Sequence, residues 1–122
     1  MVLVDANAIL RLILSDNEQM VAEVKNLIRH ENVLLRNEVV AEIVYVLMRV
    51  YKVEREIIRN SLIDLADVKN IHFESNEIMK LALQTFQTEN CDFIDCLLYA
   101  YNRIEGFDVF TFDKKLKNLI DK

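Results

Sequence analysis

Short apolar runs alternate with longer segments of helical periodicity along this chain. Four runs have the length and composition of buried strands, at residues 1–4, 33–36, 70–73 and 109–112. The segments between them repeat apolar positions with the spacing of amphipathic helices, at residues 7–14, 15–30, 38–50, 54–67, 76–89, 92–105 and 113–120. Strands that alternate with helices favour an α/β fold in which helices flank a parallel β-sheet on both faces.

Several residues predict where the helices begin and end. Ser15 and Glu18 have the spacing of a capping box, which predicts that the second helix starts at Ser15. Ser75 or Asn76 is expected to cap the fifth helix, and Gly106 stands where a left-handed residue would end the sixth. Only residues 51–53 separate the third and fourth helices, so we expect a helical hairpin in the middle of the chain.

Length and composition narrow the class of protein. A chain of 122 residues with 52% hydrophobic residues supports a single packed domain over residues 1–122. One glycine and no proline disfavour an all-β fold, which needs many tight turns. A net charge of −5 argues against a DNA-coating protein.

Membrane and export signals are not expected. No apolar run approaches the roughly 20 residues that a membrane-spanning helix needs. No basic stretch precedes the first apolar run, so we expect a cytoplasmic protein without a secretory signal. Cys91 and Cys96 fit neither a redox pair nor a zinc site, and we expect both to be reduced thiols.

Four acidic residues are candidates for chemistry. Asp5 and Asp113 follow predicted strands, and ligands of open parallel sheets bind beyond the carboxyl ends of the strands. Glu42 is expected to face an apolar stripe, and Asp95 lies in the first turn of its helix, three residues after Asp92. Each acid also has a purely structural explanation. The aspartates could be helix caps or favoured first-turn acids, and Glu42 could reach solvent at the rim.

Convergence of these acids would require a cation. Two carboxylates about 4–5 Å apart repel by roughly 4 kcal/mol at an effective dielectric near 20. His30 and His72 are isolated, so a shared site would offer oxygen ligands, which favour Mg²⁺ or Mn²⁺. Such an ion can orient a water molecule for attack on a phosphodiester. A D-x-D phosphatase is disfavoured because Asn7 takes the second position, and a glycine-rich phosphate loop because Gly106 is the only glycine.

Four short motifs resemble those of PIN-domain nucleases, in the order of that family. Residues 5–11 (D-A-N-A-I-L-R) resemble its opening D-x-N-x-x-L-R, and Glu42 has the E-x-x-x-V/L spacing of the second motif. Residues 92–98 (D-F-I-D-C-L-L) resemble D-F-x-D-A-L-I, with Cys96 in the place of alanine, and residues 111–113 (T-F-D) resemble the closing T-x-D. The resemblance covers essentially the whole chain, and residues 45–71 are similar to the helical hairpin of VapC-type toxins.

The resemblance implies an endoribonuclease that depends on Mg²⁺ or Mn²⁺ and is the toxin of a type II toxin–antitoxin pair. The metal-binding and catalytic acids would be Asp5, Glu42, Asp95 and Asp113. Asn7 and Thr111 would orient carboxylates or water, and Asp92 would be either a further acid or a helix cap. The alternative is a catalytically inactive PIN-like module that acts through protein or RNA contacts.

Basic and apolar residues suggest where partners bind. RNA is expected to contact Arg11, Lys114 and Lys115, although ordinary solvated charges would look the same. The helical hairpin is rich in apolar residues, namely Val44, Val46, Leu47, Ile57, Ile58 and Leu62. This composition suggests a homodimer interface or a groove for an antitoxin.

Overall fold

Three short strands form a parallel sheet in the computed structural model, which describes residues 1–122. β1 (Val2–Leu3), β2 (Val33–Leu35) and β3 (Ile71–Phe73) lie in the order β1-β2-β3. Val33 of β2 is in register with Val2 on one side and with Ile71 on the other. The predicted α/β class with a parallel sheet is confirmed.

The chain divides into two units, Met1–Glu74 and Ser75–Lys122. The first unit contains the sheet and four helices, and the second contains three helices. The helices are α1 (Ala6–Leu14), α2 (Glu18–His30), α3 (Asn37–Arg49), α4 (Arg55–Ala66), α5 (Asn76–Thr88), α6 (Phe93–Glu105) and α7 (Lys114–Asp121).

The core of the first unit is built around α3. Its buried residues, Val40, Ile43, Val44 and Leu47, recur at the spacing that places them on one face of a helix. α1 packs against α2 and α3, while α4 contacts both α3 and β3. Because α3 and α4 follow each other across a short loop and touch, the predicted helical hairpin is confirmed.

The second unit is held together by α6, which packs against α5 and α7. The rings of Phe86 and Phe93 meet edge to face, with centroids 6.0 Å apart. The Arg103 guanidinium donates hydrogen bonds to backbone carbonyls in the last turn of α7 and at the final residue, Lys122. Gly106 ends α6 in the left-handed region, with φ of 74°, as the sequence predicts.

The fourth predicted strand, at residues 109–112, is wrong. This segment pairs with no other strand, and its two phenylalanines are exposed. A short apolar run becomes a strand only when a neighbour accepts its backbone hydrogen bonds, and the sequence does not reveal that neighbour. Asp113 therefore follows an irregular segment and not a strand.

The predicted start of α2 at Ser15 is also wrong. Ser15 ends α1 in the left-handed region, with φ of 50°, and its hydroxyl donates to the Leu12 carbonyl. The cap of α2 is Asn17, whose side-chain oxygen accepts a hydrogen bond from the Met20 N–H at 3.0 Å. Asn is as good a cap as Ser, so the capping-box spacing alone could not choose between them. Ser75, in contrast, caps α5 as predicted.

Candidate active site

Asp5 links the end of β1 to the start of α1. Its Oδ1 accepts a hydrogen bond from the Ala8 N–H at 3.0 Å, so this carboxylate is the N-cap of α1. The side chain is exposed, and it lines an open groove of about 300 Å³ together with Leu3, Arg36 and Val39. The cap uses one carboxylate oxygen and leaves the other directed to no protein donor. Asn7, predicted to support the site, is exposed in the first turn of the same helix.

Glu42 lies on the exposed side of α3, so the prediction that it faces an apolar stripe is wrong. The buried face of α3 passes through Val40, Ile43 and Val44, and Glu42 is turned away from it. The apolar stripe was predicted from three side chains one turn away from Glu42, namely Val39, Tyr45 and Val46, of which Tyr45 is exposed and the two valines are only partly covered. The expectation that Glu42 could reach solvent therefore agrees with the structure, and its carboxylate is accessible.

Asp113 is the N-cap of α7 in the second unit. Its Oδ1 accepts a hydrogen bond from the Leu116 N–H at 2.9 Å. Its own N–H donates to the hydroxyl of Thr111 at 3.0 Å. Thr111 thus holds the backbone from which the Asp113 carboxylate projects.

Asp92 and Asp95 stand at the start of α6, in the same unit. Asp92 occupies the N-cap position without a side-chain capping hydrogen bond and is exposed. Asp95 is half-buried in the first turn. Burial raises the pKa of the Asp95 carboxyl, and the charges of Asp113 and Asp92 raise it further. Asp113 and Asp92 are therefore both close enough to Asp95 to disfavour its charge.

Carboxylate oxygens are donors that a hard divalent cation prefers, but these side chains are not positioned as a complete set of metal ligands. No group of three or more His, Cys, Asp or Glu side chains in either unit is arranged to hold a metal ion directly. Charge repulsion between carboxylates acts over much longer distances than a Mg²⁺–oxygen bond of about 2.0–2.1 Å. Asp95 can therefore have a raised pKa even though the carboxylates around it are too far apart to bind one ion directly. Mg²⁺ usually keeps several water molecules and needs only one or two carboxylates. Carboxylate oxygens such as those of Asp95 and Asp113 are the type of donor that this ion prefers.

The predicted RNA-contacting residues differ in whether their side chains already bind other groups of the protein. Arg11 forms an ion pair with Asp16, with 2.6 Å between the guanidinium and carboxylate atoms. A hydrogen bond with Tyr51, followed by the charge of Asp16, raises the pKa of Arg11. Lys115 donates to the Asn90 carbonyl at 2.9 Å, and the Lys114 side chain is exposed. Arg11 would have to leave its ion pair to bind RNA.

Lys115 also affects a cysteine in the second unit. Cys91 and Cys96 are both buried, and neither forms a disulfide. Burial raises the pKa of the Cys91 thiol, and the charge of Lys115 opposes this shift. Burial thus favours the protonated Cys91 thiol over the thiolate that a metal would need.

Sequence reasoning missed two exposed rings beside Asp113. Phe110 and Phe112 were placed in a buried strand, yet both lie almost entirely in solvent. Their alternation with Thr111 was the available signal, because alternate residues of an extended segment point to the same side.

No helix is long and apolar enough to cross a membrane.

Nearly the whole chain matches the model of a known family. Comparison with the curated proteins and with the solved structures gives no match. The family model described as PIN domain matches residues 2–122. Because this match covers nearly every residue, the chain belongs to the PIN domain family, whose members are generally nucleases.

Proposed function

We propose that this protein is an endoribonuclease that depends on Mg²⁺ or Mn²⁺, with Asp5, Glu42, Asp95 and Asp113 as its metal-binding and catalytic acids. The observation that carries the proposal is the extent of the family match, which spans all four acids in the order of the nuclease motifs. PIN domains typically use divalent metals, and the oxygen-only donor set is the one that such metals prefer.

The electrostatics of the second unit support a cation there. Asp95 is partly removed from water beside Asp113 and Asp92, and no lysine or arginine forms an ion pair with any of them. Such an arrangement is unfavourable while all three are ionised. A divalent cation bound nearby would reduce the repulsion, which gives these acids a physical reason to bind one.

The chain contributes orientation to the reaction. The caps of α1 and α7 fix the carboxylates of Asp5 and Asp113, and Thr111 fixes the backbone of Asp113. The exposed carboxylate of Glu42 is available as a further ligand. A bound metal ion supplies positive charge that activates water and stabilises the charge developing on the phosphate. Lys114, exposed in the first turn of α7, holds the substrate backbone by charge attraction.

A toxin–antitoxin role with a homodimer is the finer part of this proposal. Four of the six apolar hairpin residues in the predicted interface, Val44, Leu47, Ile58 and Leu62, are buried in their own unit and cannot form it. Exposed apolar residues remain on both helices, with Tyr45 on α3 and Ile57 on α4. These two provide the surface that a second copy or an antitoxin helix would cover.

A catalytically inactive binding module is the second candidate. The observation that favours it is the lack of three ligands arranged around one point in either unit. A binding module would still bind RNA through its lysines, but it would have no use for a metal.

A cleavage assay separates the two candidates. Structured RNA is incubated with the protein in Mg²⁺, in Mn²⁺ or in EDTA, and a DNA of the same sequence is run in parallel. We expect cleavage of RNA only, with either metal and not in EDTA. Binding of RNA without cleavage in any condition would instead support the inactive module.

A further inference from the structure

The side chain of Arg103 joins the ends of two helices in the second unit. Arg103 lies in the last turn of α6. Its Nη2 donates to the backbone carbonyls of Leu119, Ile120 and Lys122, at 3.3, 3.0 and 3.1 Å. These carbonyls lie at the end of α7, where a helix offers its own carbonyls no further N–H partner. The guanidinium also lies over the Tyr99 ring, 5.2 Å from the ring centroid, and this contact limits the directions that the side chain can take.

The other ends of the same helices are joined by a side chain from α7. Lys115, in its first turn, donates from Nζ to the carbonyl of Asn90 at 2.9 Å, two residues before the cap position of α6. The two helices also pack against each other. Their starts are neighbours and their ends are neighbours, so α6 and α7 run side by side in the same direction. Asp95 and Asp113 occupy the two starts, where the helix dipoles favour negative charge.

A positive charge is favourable where both helices end, because the negative ends of two helix dipoles lie side by side there. Arg103 supplies this charge, and its hydrogen bonds go to the carbonyls that carry the negative end of α7. Glu105 and Asp121 stand at the same helix ends, add further negative charge and form no ion pair with Arg103. Lys122 pairs instead with Glu89, at the end of α5, at 3.4 Å. Loss of the Arg103 guanidinium would therefore leave two helix ends that repel each other.

We propose that Arg103 is a positioning residue, which holds the end of α7 against α6 and thereby keeps the Asp113 carboxylate in its place beside Asp95. The proposal deepens the proposed function, on which it rests for the roles of both acids. α7 has eight residues, about 12 Å of helix, and so short a helix moves as one body when its end is released. The Asp113 carboxylate moves with the helix, because the Leu116 N–H holds it at 2.9 Å. In catalysis, a displacement of about 1 Å can cost roughly 100-fold in rate.

The first test needs no catalysis. Urea unfolding in EDTA at neutral pH, applied to wild type, Asp95→Asn, Asp113→Asn and the double variant, gives the interaction free energy between the two acids. The four proteins are then made again with Arg103→Met, which removes the charge and the hydrogen-bond donors but retains a long side chain. We expect a repulsive interaction in the first set and a weaker one in the second, because repelling carboxylates move apart when the end of α7 is released. An arginine that only stabilises the fold would lower the stability of all four proteins equally and leave the interaction unchanged.

The second test is cleavage of RNA at saturating Mn²⁺. Arg103→Met should lower kcat by about 10–100-fold, the range for residues that orient metal ligands, with KM nearly unchanged. Arg103→Lys keeps the charge and a donor, and it should recover part of the loss in kcat. The matched control is Lys122→Met, which removes a cation from the same end of α7 but leaves the contacts of Arg103 in place. This control should retain the wild-type kcat and, in the cycle, the wild-type repulsion.

Three outcomes would overturn the positioning role of Arg103. These are no repulsion between Asp95 and Asp113 in the wild-type background, an equal repulsion with Arg103→Met, or an equal loss of kcat with Lys122→Met. If Arg103→Met does not fold, Arg103→Gln replaces it in both tests with the same expected results. If wild type never cleaves RNA but the repulsion weakens with Arg103→Met, the proposed function fails and Arg103 still positions Asp113. If cleavage depends on metal and Arg103→Met cleaves like wild type, the proposed function stands and the positioning role fails.

Discussion

Asp95 and Asp113 repel each other from the N-terminal ends of two different helices. Burial of Asp95 is the larger cause of its raised pKa, and the charge of Asp113 is the next. Both carboxylates stand where a helix favours negative charge, Asp113 as the cap of α7 and Asp95 in the first turn of α6. Each helix end thus stabilises the negative charge of its own aspartate, while the two aspartates lie close enough for their charges to repel.

Asp95 should make the metal-free protein less stable as pH rises. Its folded-state pKa is raised above the ordinary value of 3.8, so the folded chain holds this proton more tightly than the unfolded chain does. The tighter proton binding stabilises the folded state fully at pH values below the pKa of Asp95 in the unfolded chain. This stabilisation is lost as pH rises through the pKa of Asp95 in the folded chain. We expect the free energy of unfolding of Asp95→Asn, relative to wild type, to increase as pH rises above the ordinary value of 3.8. Urea titrations in EDTA measure it, and a flat or falling difference would contradict the raised pKa.

Asp5→Asn should remove cleavage and leave the fold intact. Asparagine caps a helix about as well as aspartate, so its amide oxygen can still accept the Ala8 N–H. The substitution removes a negative ligand, and even outer-shell changes at metal sites cost about 10–100-fold, so we expect a loss of at least about 100-fold in kcat/KM. Asp92→Asn is the matched control and should have a milder effect if Asp92 acts only at the helix end. Equal activity of wild type and Asp5→Asn would sink the proposed mechanism.

Mg²⁺ or Mn²⁺ should raise Tm. A ligand that binds only the folded state stabilises it by about 2.7 kcal/mol at one hundred times its Kd. Differential scanning fluorimetry, with potassium chloride at equal ionic strength as the control for general screening, measures the shift. The shift should shrink in Asp95→Asn and Asp113→Asn. An unchanged Tm of wild type at saturating metal would mean that the acids form no shared metal site.

Gly106→Ala should cost about 1 kcal/mol of stability, because alanine is strained in the left-handed region. A Cβ at this position meets no atom within 4 Å, so the cost is conformational and not steric. Ser15 supplies the matched control, since it occupies the same region at the end of α1. We expect Ser15→Gly to stabilise the protein, the opposite sign. Denaturant unfolding gives both values, and a neutral Gly106→Ala would show that the end of α6 rearranges.

The proposed dimer surface is tested at Ile57, which is 54% exposed on α4. If a second copy covers this residue, Ile57→Asp places a charge in an apolar interface and should yield monomers. Light scattering at tens of micromolar measures the mass. Met20→Asp on α2, outside the hairpin, is the control and should leave the mass unchanged. A wild-type monomer that also fails to bind an antitoxin would count against an interface at the hairpin.

Sequence patterns predicted the elements well where local physics decides them. The period of α3 and the conformations of Ser75 and Gly106 follow from nearby residues alone. The fourth strand failed because pairing of residues 109–112 depends on a partner far along the chain. Glu42 was predicted on the wrong side of α3 because three apolar or aromatic residues one turn away do not determine which side of a helix is buried. The candidate acids were selected from their places at predicted strand ends and on helices, and then from motif order. The repulsion between Asp95 and Asp113 required coordinates.

The caps at Asp5 and Asp113 have a consequence for anything that binds these carboxylates. Each side chain is already held by a hydrogen bond from its own helix, to Ala8 and to Leu116. Immobilising a mobile side chain on binding costs roughly 0.5–1.5 kcal/mol of rotational entropy. For these two residues that entropy is lost when the helices form. An incoming ligand therefore meets carboxylates whose orientation was settled during folding, and it binds more tightly than it would to freely rotating ones.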